Sequence, residues 1–313
     1  MGLFKFLILL CLIASVFSVD LYGMRSPAEL VKVNSENGTI TPVGGIYTHE
    51  AVGDNVGCLD SKNGIYYFMG TNLETAKIDL LGMDIHSADI KYTIPTTFVT
   101  EGFVGVAQIV QCIDDSDDVI IMGRDPKYDH KHNLVRVTPQ TNTWKELNQF
   151  NFLDPLGGGH TLSGETVWIE LTVNISGKYS HKLFGFDINT GKQVFEINDD
   201  DYYTTGLNYD KESGMVFGIG IVPQFTNRVI MQLNPKTGII TRLFDLPSTY
   251  FLATPPTTIN AKDGIGWYIM NDRKVDEPWK LVTLDYNKQA IVKNVNLCPN
   301  PKDCLRGLEY YEI

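Results

Sequence analysis

Six times along this chain one phrase returns: an alternating apolar run, an Asp, Asn or Thr, a short polar turn, and a second alternating run. The six copies are VKVNSENGTITPV (31–43), LLGMDIHSADIKYTI (80–94), LVRVTPQTNTWKEL (134–147), LFGFDINTGKQVFEI (183–197), IMQLNPKTGIITRLFDL (230–246) and LVTLDYNKQAIVKNV (281–295). Their anchor residues are Asn34, Asp84, Thr138, Asp187, Asn234 and Asp285, spaced at roughly the ~40–50-residue period of propeller blades. A period this long constrains the fold more than any local propensity. Each unit must be one supersecondary module that buries its apolar face on its neighbours.

Each copy reads as two strands around a tight turn, with Gly38, Gly191 and Gly238, or Asn142, where a left-handed backbone is useful. Between copies stand further turn signals, at 62–64, 115–117, 163–165, 211–214 and 262–264, followed by IYYFMG, VIIMG, VWIEL, MVFGIG and IGWYIM. These runs are rich in β-branched and aromatic residues and read as strands, which gives four strands per unit. Long amphipathic helical patterns are absent. The expected fold is therefore all-β: a six-bladed β-propeller of four-stranded antiparallel blades, with residues 19–313 forming a single domain. The two ends of the chain supply complementary fragments of one blade, LYGM near the start and RGLEYYEI at the finish. Pairing them in that blade would close the ring and remove its open sheet edges. A seven-bladed ring would need a seventh anchor, which the chain lacks.

In blade grammar the copies, above all LFGFDINTG at 183–191, resemble those of secreted six-bladed propellers that repeat L-Y-x-I-D-x-x-T-G. The chain carries no Trp-Asp repeat ending, no repeated Gly-Gly of kelch type, no Tyr-Trp-Thr-Asp of lipoprotein-receptor type and no sialidase box.

The first eighteen residues, MGLFKFLILLCLIASVFS, have an early Lys5, an apolar run and small residues at Val16 and Ser18. That is the layout of a secretory signal, and the apolar run is shorter than the ~20 residues a spanning helix needs. Export sets the expected location, outside the cell or in an endomembrane lumen, without a transmembrane anchor. The remaining Cys58, Cys112, Cys298 and Cys304 form an even set suited to an oxidising compartment. Cys298 and Cys304 bracket a short proline-containing loop and are expected to bond. Cys58 and Cys112 read as the same position of adjacent inner strands, which leaves open a bridge or two buried thiols. Asn37-Gly-Thr and Asn174-Ile-Ser have the acceptor spacing for N-glycosylation and are expected in loops. Acidic residues outnumber basic ones 37 to 26 and no basic cluster occurs, which argues against nucleic acid as a partner.

Propeller function collects where the loops entering each inner strand converge. Those loops differ sharply here while the hairpins do not, as a shaped binding surface requires. They place His49, Glu50, Asp54, Glu101, His160 and Arg306 near the axis, with Tyr202, Tyr203, Tyr250 and Phe251 further out. Carboxylates, imidazoles, a guanidinium and aromatic planes suit an extracellular protein, peptide or carbohydrate ligand, bound by a monomer without a cofactor. The competing reading is a calcium-dependent hydrolase or lactonase, with Asp54, Asn55, Glu101 and Gln108 as oxygen ligands. Gly157–Gly159 and Pro255–Pro256 stand where further ligands would be wanted. His130 and His132 in KYDHKHN could face one side of a strand as two metal ligands, but flanking lysines favour a solvated loop. GGGHTLSG has no nucleophile-elbow pattern, so no serine-hydrolase triad is expected.

Overall fold

The computed structural model describes residues 19–25, 29–44, 49–51, 57–72, 74–75, 77–96, 109–113, 116–124, 131–151, 156–175, 178–198, 203–221, 228–248, 250–251, 257–272, 278–298, 304–305 and 308–311. The signal segment and the mouth candidates Asp54, Glu101 and Arg306 lie outside them, as do Asn55, Gln108, His130 and Tyr202.

Six antiparallel sheets account for nearly all of the described chain. The closing blade holds β1 (Asp20–Arg25), β2 (Glu29–Asn34) and β3 (Ile40–Pro42), and its inner strand is β26 (Glu309–Tyr310) from the far end of the sequence. The next blade runs β4 (His49–Ala51) and β5 (Gly57–Asp60) as two pieces of one inner strand, then β6 (Ile65–Asn72), β7 (Ile78–Asp84) and β8 (Ile90–Pro95). The third is β9 (Ile109–Cys112), β10 (Val119–Arg124), β11 (Lys131–Thr138) and β12 (Thr143–Asn151), and the fourth is β13 (Leu156–Ser163), β14 (Thr166–Ile175), β15 (Lys178–Asp187) and β16 (Gln193–Asn198). The fifth is β17 (Tyr203–Asp210), β18 (Met215–Ile221), β19 (Arg228–Asn234) and β20 (Ile239–Leu246). The sixth is β21 (Tyr250–Phe251) with β22 (Thr257–Asn260), then β23 (Ile265–Asp272), β24 (Trp279–Asp285) and β25 (Ala290–Cys298).

Inner strands touch in a closed cycle, β26 to β5, β9, β13, β17, β22 and back to β26. The chain is thus a six-bladed β-propeller, closed as the two terminal fragments require: Leu21 pairs with Tyr310 and Tyr22 with Glu309. The core lies between blades rather than in one centre. One apolar cluster, for example, joins Tyr67, Met69 and Leu80 of one blade to Val110, Ile121 and Val135 of the next. Burying both faces of every sheet is why the second and third strands read as near-continuous apolar runs.

The anchors explain the repeat. Asn34 Oδ1 accepts the backbone N–H groups of Glu36 and Asn37, Asp84 Oδ1 those of His86 and Ser87, and Asp187 Oδ1 those of Asn189 and Thr190. Each is an Asx turn, in which a short side chain replaces water at backbone donors that the bend leaves open. Four residues beyond every anchor the backbone is left-handed: Gly38, Ala88, Asn142, Gly191, Gly238 and Gln289 have φ between 52° and 72°. At Gly38 a Cβ would also stand 2.5 Å from the Asn296 carbonyl oxygen of the adjoining blade.

Three expectations are corrected. Cys58 and Cys112 are not equivalent positions: Cys58 lies opposite Tyr67, which pairs with Gly82, two residues before the anchor Asp84, whereas Cys112 lies opposite Val119, which pairs with Val137, one before the anchor Thr138. Because side chains alternate along a strand, this one-residue offset turns the two toward each other. They bond with Cα atoms 5.6 Å apart. Asn174 is in β14 rather than a loop, opposite Tyr179 and one pair from the end of its hairpin. His132 is in β11, not a solvated loop, and is 1% exposed. The Cys298–Cys304 bond is present as expected, and Asn37 is exposed in its hairpin turn.

Candidate functional site: a polar cavity on the propeller axis

Each inner strand contributes one residue opposite a second-strand residue that is itself paired two positions before that blade's anchor. The six are Cys58, Gln111, Thr161, Asn208, Thr258 and Glu309. They form a belt around the axis, and all six line a cavity of about 160 Å³ together with His160, Tyr209 and residues near them. Five of its six members are polar, and the sixth, Cys58, is bonded to Cys112 of the next blade. Fifth among its members in the chain, Thr258 locks two blades, its Oγ1 accepting the Tyr310 backbone N–H at 2.8 Å. Asn208 is likewise committed, donating to the Gly206 carbonyl at 3.1 Å.

Glu309 is the belt's one formal charge. Among the described residues its carboxyl has neither hydrogen bond nor counter-charge, although it lines the cavity. The residue is partly exposed, and desolvation pushes its carboxyl well above its ordinary range. On β6, Tyr66 adds to this environment. Its hydroxyl is buried, has no hydrogen-bond partner among the described residues, and leans on Gly57, where any Cβ would collide with it. Burial first, and the Glu309 charge second, push the Tyr66 phenol far up.

His160 is the one mouth candidate whose side chain is described in full. It belongs to β13, is 8% exposed, and lines the cavity beside the belt. Burial lowers its pKa to about 4, against the opposing effect of a hydrogen bond to the backbone of Val110. The imidazole is therefore neutral at neutral pH, with one nitrogen donating to the Val110 carbonyl and the other an acceptor. His49 and Glu50 occupy β4, paired with Asn72 and Thr71 of β6. Tyr250, buried and accepting an Asn294 amide proton at 2.8 Å, packs in the core rather than at the rim.

Reading the sequence missed Glu309, Gln111 and Thr161. The signal that finds them is the register: counting two residues back from each anchor and crossing two strands inward identifies the belt. Among the described residues no cluster of three or more His, Cys, Asp or Glu is placed to hold a metal ion. No helix there is long and apolar enough to cross a membrane.

No protein-family model and no curated protein matches the sequence. Solved structures do share its architecture. A chain from a crystal structure of the nidogen/laminin complex aligns over 94% of this chain and 98% of its own, with 12% identity and a TM-score of 0.64. TolB from Acinetobacter baumannii aligns over 94% of this chain and 66% of its own, with 11% identity and a TM-score of 0.60. Oligogalacturonate lyase from Vibrio parahaemolyticus covers 88% of this chain and 74% of its own, at 12% identity and a TM-score of 0.56. At such identities the likeness establishes the fold alone: this chain is built as a β-propeller.

Proposed function

We propose that the protein is an exported, glycosylated binding module that engages an extracellular protein, peptide or carbohydrate on the face of the propeller where the loops entering the inner strands emerge. The observation that carries this reading is topological. All six blades run from inner to outer strand in the same order around a closed ring, so every inner strand begins at the same end of the axis. Two disulfides suit an oxidising compartment. The solved nidogen/laminin chain, of like fold, stands in a protein complex. A surface of variable loops on a rigid ring is how one scaffold comes to serve many ligands.

The test is binding of the mature protein to arrays of glycans and extracellular-matrix proteins, compared with paired variants. His49→Ala with Glu50→Ala should abolish a specific signal while leaving the melting temperature unchanged. Lys236→Ala, on an outer hairpin at the far radius, should leave it intact. Equal loss in both variants would count against the loop face. Turnover of lactones or esters, abolished by a calcium chelator, would replace the binding reading with the hydrolytic one.

A further inference from the structure

We infer that Asn174 carries an N-linked oligosaccharide whose role is to guard an open strand edge, keeping the propeller from pairing with a second copy of itself. The inference rests on the export proposed above and needs no ligand on the loop face. Strands β14 and β15 are ten residues each, whereas the second and third strands of the other five blades have six to eight. Four of those blades join the two strands through five or six residues, 73–77, 125–130, 222–227 and 273–278, while in the fourth blade only Ser176 and Gly177 intervene. What is a connection elsewhere is strand ladder here.

The extra ladder runs past the rest of its sheet. Among the described residues, β13 stops pairing with β14 at Leu156 opposite Thr172, and β16 stops pairing with β15 at Asn198 opposite Lys182. Beyond those pairs a two-stranded arm remains, with Val173 opposite Ser180, Asn174 opposite Tyr179 and Ile175 opposite Lys178. Pro155, next before Leu156 in the chain, has no N–H with which to lengthen the inner strand. Three residues of strand rise about 10 Å. Because the second strand of each blade returns to the end where its inner strand begins, the arm stands on the loop face.

The arm's two edges differ in chemistry. Along β15 the run from Lys178 to Lys182 reads KYSHK, and lysines on an edge discourage strand addition. Along β14 the run from Leu171 to Ser176 reads LTVNIS, without charge, proline or glycine and with β-branched Thr172, Val173 and Ile175. That is the composition from which strands of separate chains build cross-β pairs. The acceptor sequon Asn174-Ile175-Ser176 lies within this unguarded run. A strand added to β14 would lie about 4.8 Å away, within reach of a branched oligosaccharide rooted on Asn174. In the modification, the Asn174 amide nitrogen displaces the diphosphate of a lipid-linked oligosaccharide: its bond to the sugar C1 forms, the bond from C1 to the diphosphate oxygen breaks, and one amide proton leaves. Asn37 offers the contrast. It is exposed in a turn at the opposite end of the axis and leads into β3, an edge strand of three residues ending in proline, so a glycan there has little edge to guard.

Two measurements on the full chain secreted from eukaryotic cells test the assignment. Peptide mass spectrometry after enzymatic glycan release in heavy-oxygen water should find Asn174 converted to labelled Asp. A bare Asn174 in an exported chain overturns this inference alone, whereas a chain that is not exported overturns the export reading with it. In size-exclusion chromatography with light scattering, Asn174→Gln should keep the native melting temperature yet roughly double in mass as concentration rises, as pairing of one arm with another requires. Asn37→Gln should stay monomeric. Adding Val173→Lys to Asn174→Gln should restore the monomer, because a lysine guards the same edge. Should Asn174→Gln fail to leave the cell, native protein trimmed after folding by an endoglycosidase that leaves only the first sugar should show the same doubling. A glycan-stripped protein that remains monomeric, or an association that Val173→Lys does not reverse, would overturn the guarding role.

Discussion

Ala88 and Gln289 stand in left-handed backbone, φ 59° and 53°, at the position that Gly38, Gly191 and Gly238 fill in other blades. A side chain with a Cβ is disfavoured there by about 1–2 kcal/mol, because the Cβ crowds the following carbonyl. Gln289 is exposed and gives up no packing if truncated. Gln289→Gly should therefore raise unfolding free energy by about 1 kcal/mol in urea melts. The reverse change, Gly191→Ala, should lower it by more than that, since the new methyl would also strike the Leu147 backbone of the adjoining blade. His160 makes the residue-scale pH prediction. Its folded pKa, about 4, lies below the ordinary 6.5, so the unfolded chain binds a proton first as pH falls. Its contribution is complete above pH 6.5 and is lost as pH drops through 4, for a total of about 3 kcal/mol. Glu309 acts in the opposite sense, because its folded pKa is raised: its contribution is present below the unfolded carboxylate range and is lost as pH rises through the folded value. Melting temperature against pH should thus fall less steeply on the acid side in His160→Gln than in the native protein, and less steeply on the alkaline side in Glu309→Gln.

At the scale of the element, the outer hairpin is a device in which one side chain shapes the turn. Asp187 Oδ1 accepts from Asn189 N, Thr190 N and the Thr190 hydroxyl at 3.1, 2.7 and 2.7 Å. The Thr190 hydroxyl first, and then its backbone N–H, hold this carboxyl below its usual value, which is the sign expected for an acceptor whose ionised form is favoured. Asp187→Ala should cost about 1 kcal/mol, while Asp187→Asn, which keeps the acceptor, should cost much less, as read from denaturant midpoints at neutral pH. Thr138 departs from this pattern. Its hydroxyl donates to Asp118 at 2.7 Å, and a 3-10 turn beginning at Pro139 makes the bend in place of an Asx turn. This is also where the sequence was most and least legible. The hairpins could be read because an Asx turn needs a particular residue at a particular place, which leaves a trace at a fixed period. The non-glycine left-handed positions left no such trace, since Ala88 and Gln289 violate the preference that makes the others visible. The Cys58–Cys112 bond turned on a one-residue register offset, which only the pairing of three successive strands determines. Glu309 escaped notice for a related reason: an isolated Glu in a terminal strand looks solvated until ring closure places it on the axis.

Across the whole molecule, two kinds of closure act on different lengths of chain. The Cys58–Cys112 bond spans 54 residues and Cys298–Cys304 spans 6. On a chain-entropy account, losing the first should cost about 4 kcal/mol and the second about 2. The ring's own seam is slighter in length. Only Leu21 and Tyr22 pair with β26 in the sheet, joined by the bridge of Arg25 with Leu305. What makes so short a strand sufficient is that it is held on both flanks. Tyr310 stacks on Trp267 of the sixth blade with ring centroids 5.8 Å apart and donates its N–H to Thr258, while Tyr311 meets Tyr22 edge-on at 5.9 Å. Deleting residues 308–313 would strip Leu308, 1% exposed, from the core, leave the edges of β1 and β22 without their shared neighbour, and open the cavity that Glu309 lines. Open strand edges recruit other chains. The truncated protein should therefore lose its single cooperative melting transition and elute as dimers or larger species, even with Cys298–Cys304 oxidised. Replacing both of those cysteines in the full-length chain should lower the melting temperature while preserving a monomeric, cooperative ring. If instead the truncated chain melted like the intact one and remained monomeric, the disulfide rather than the terminal strand would be what joins the last blade to the first.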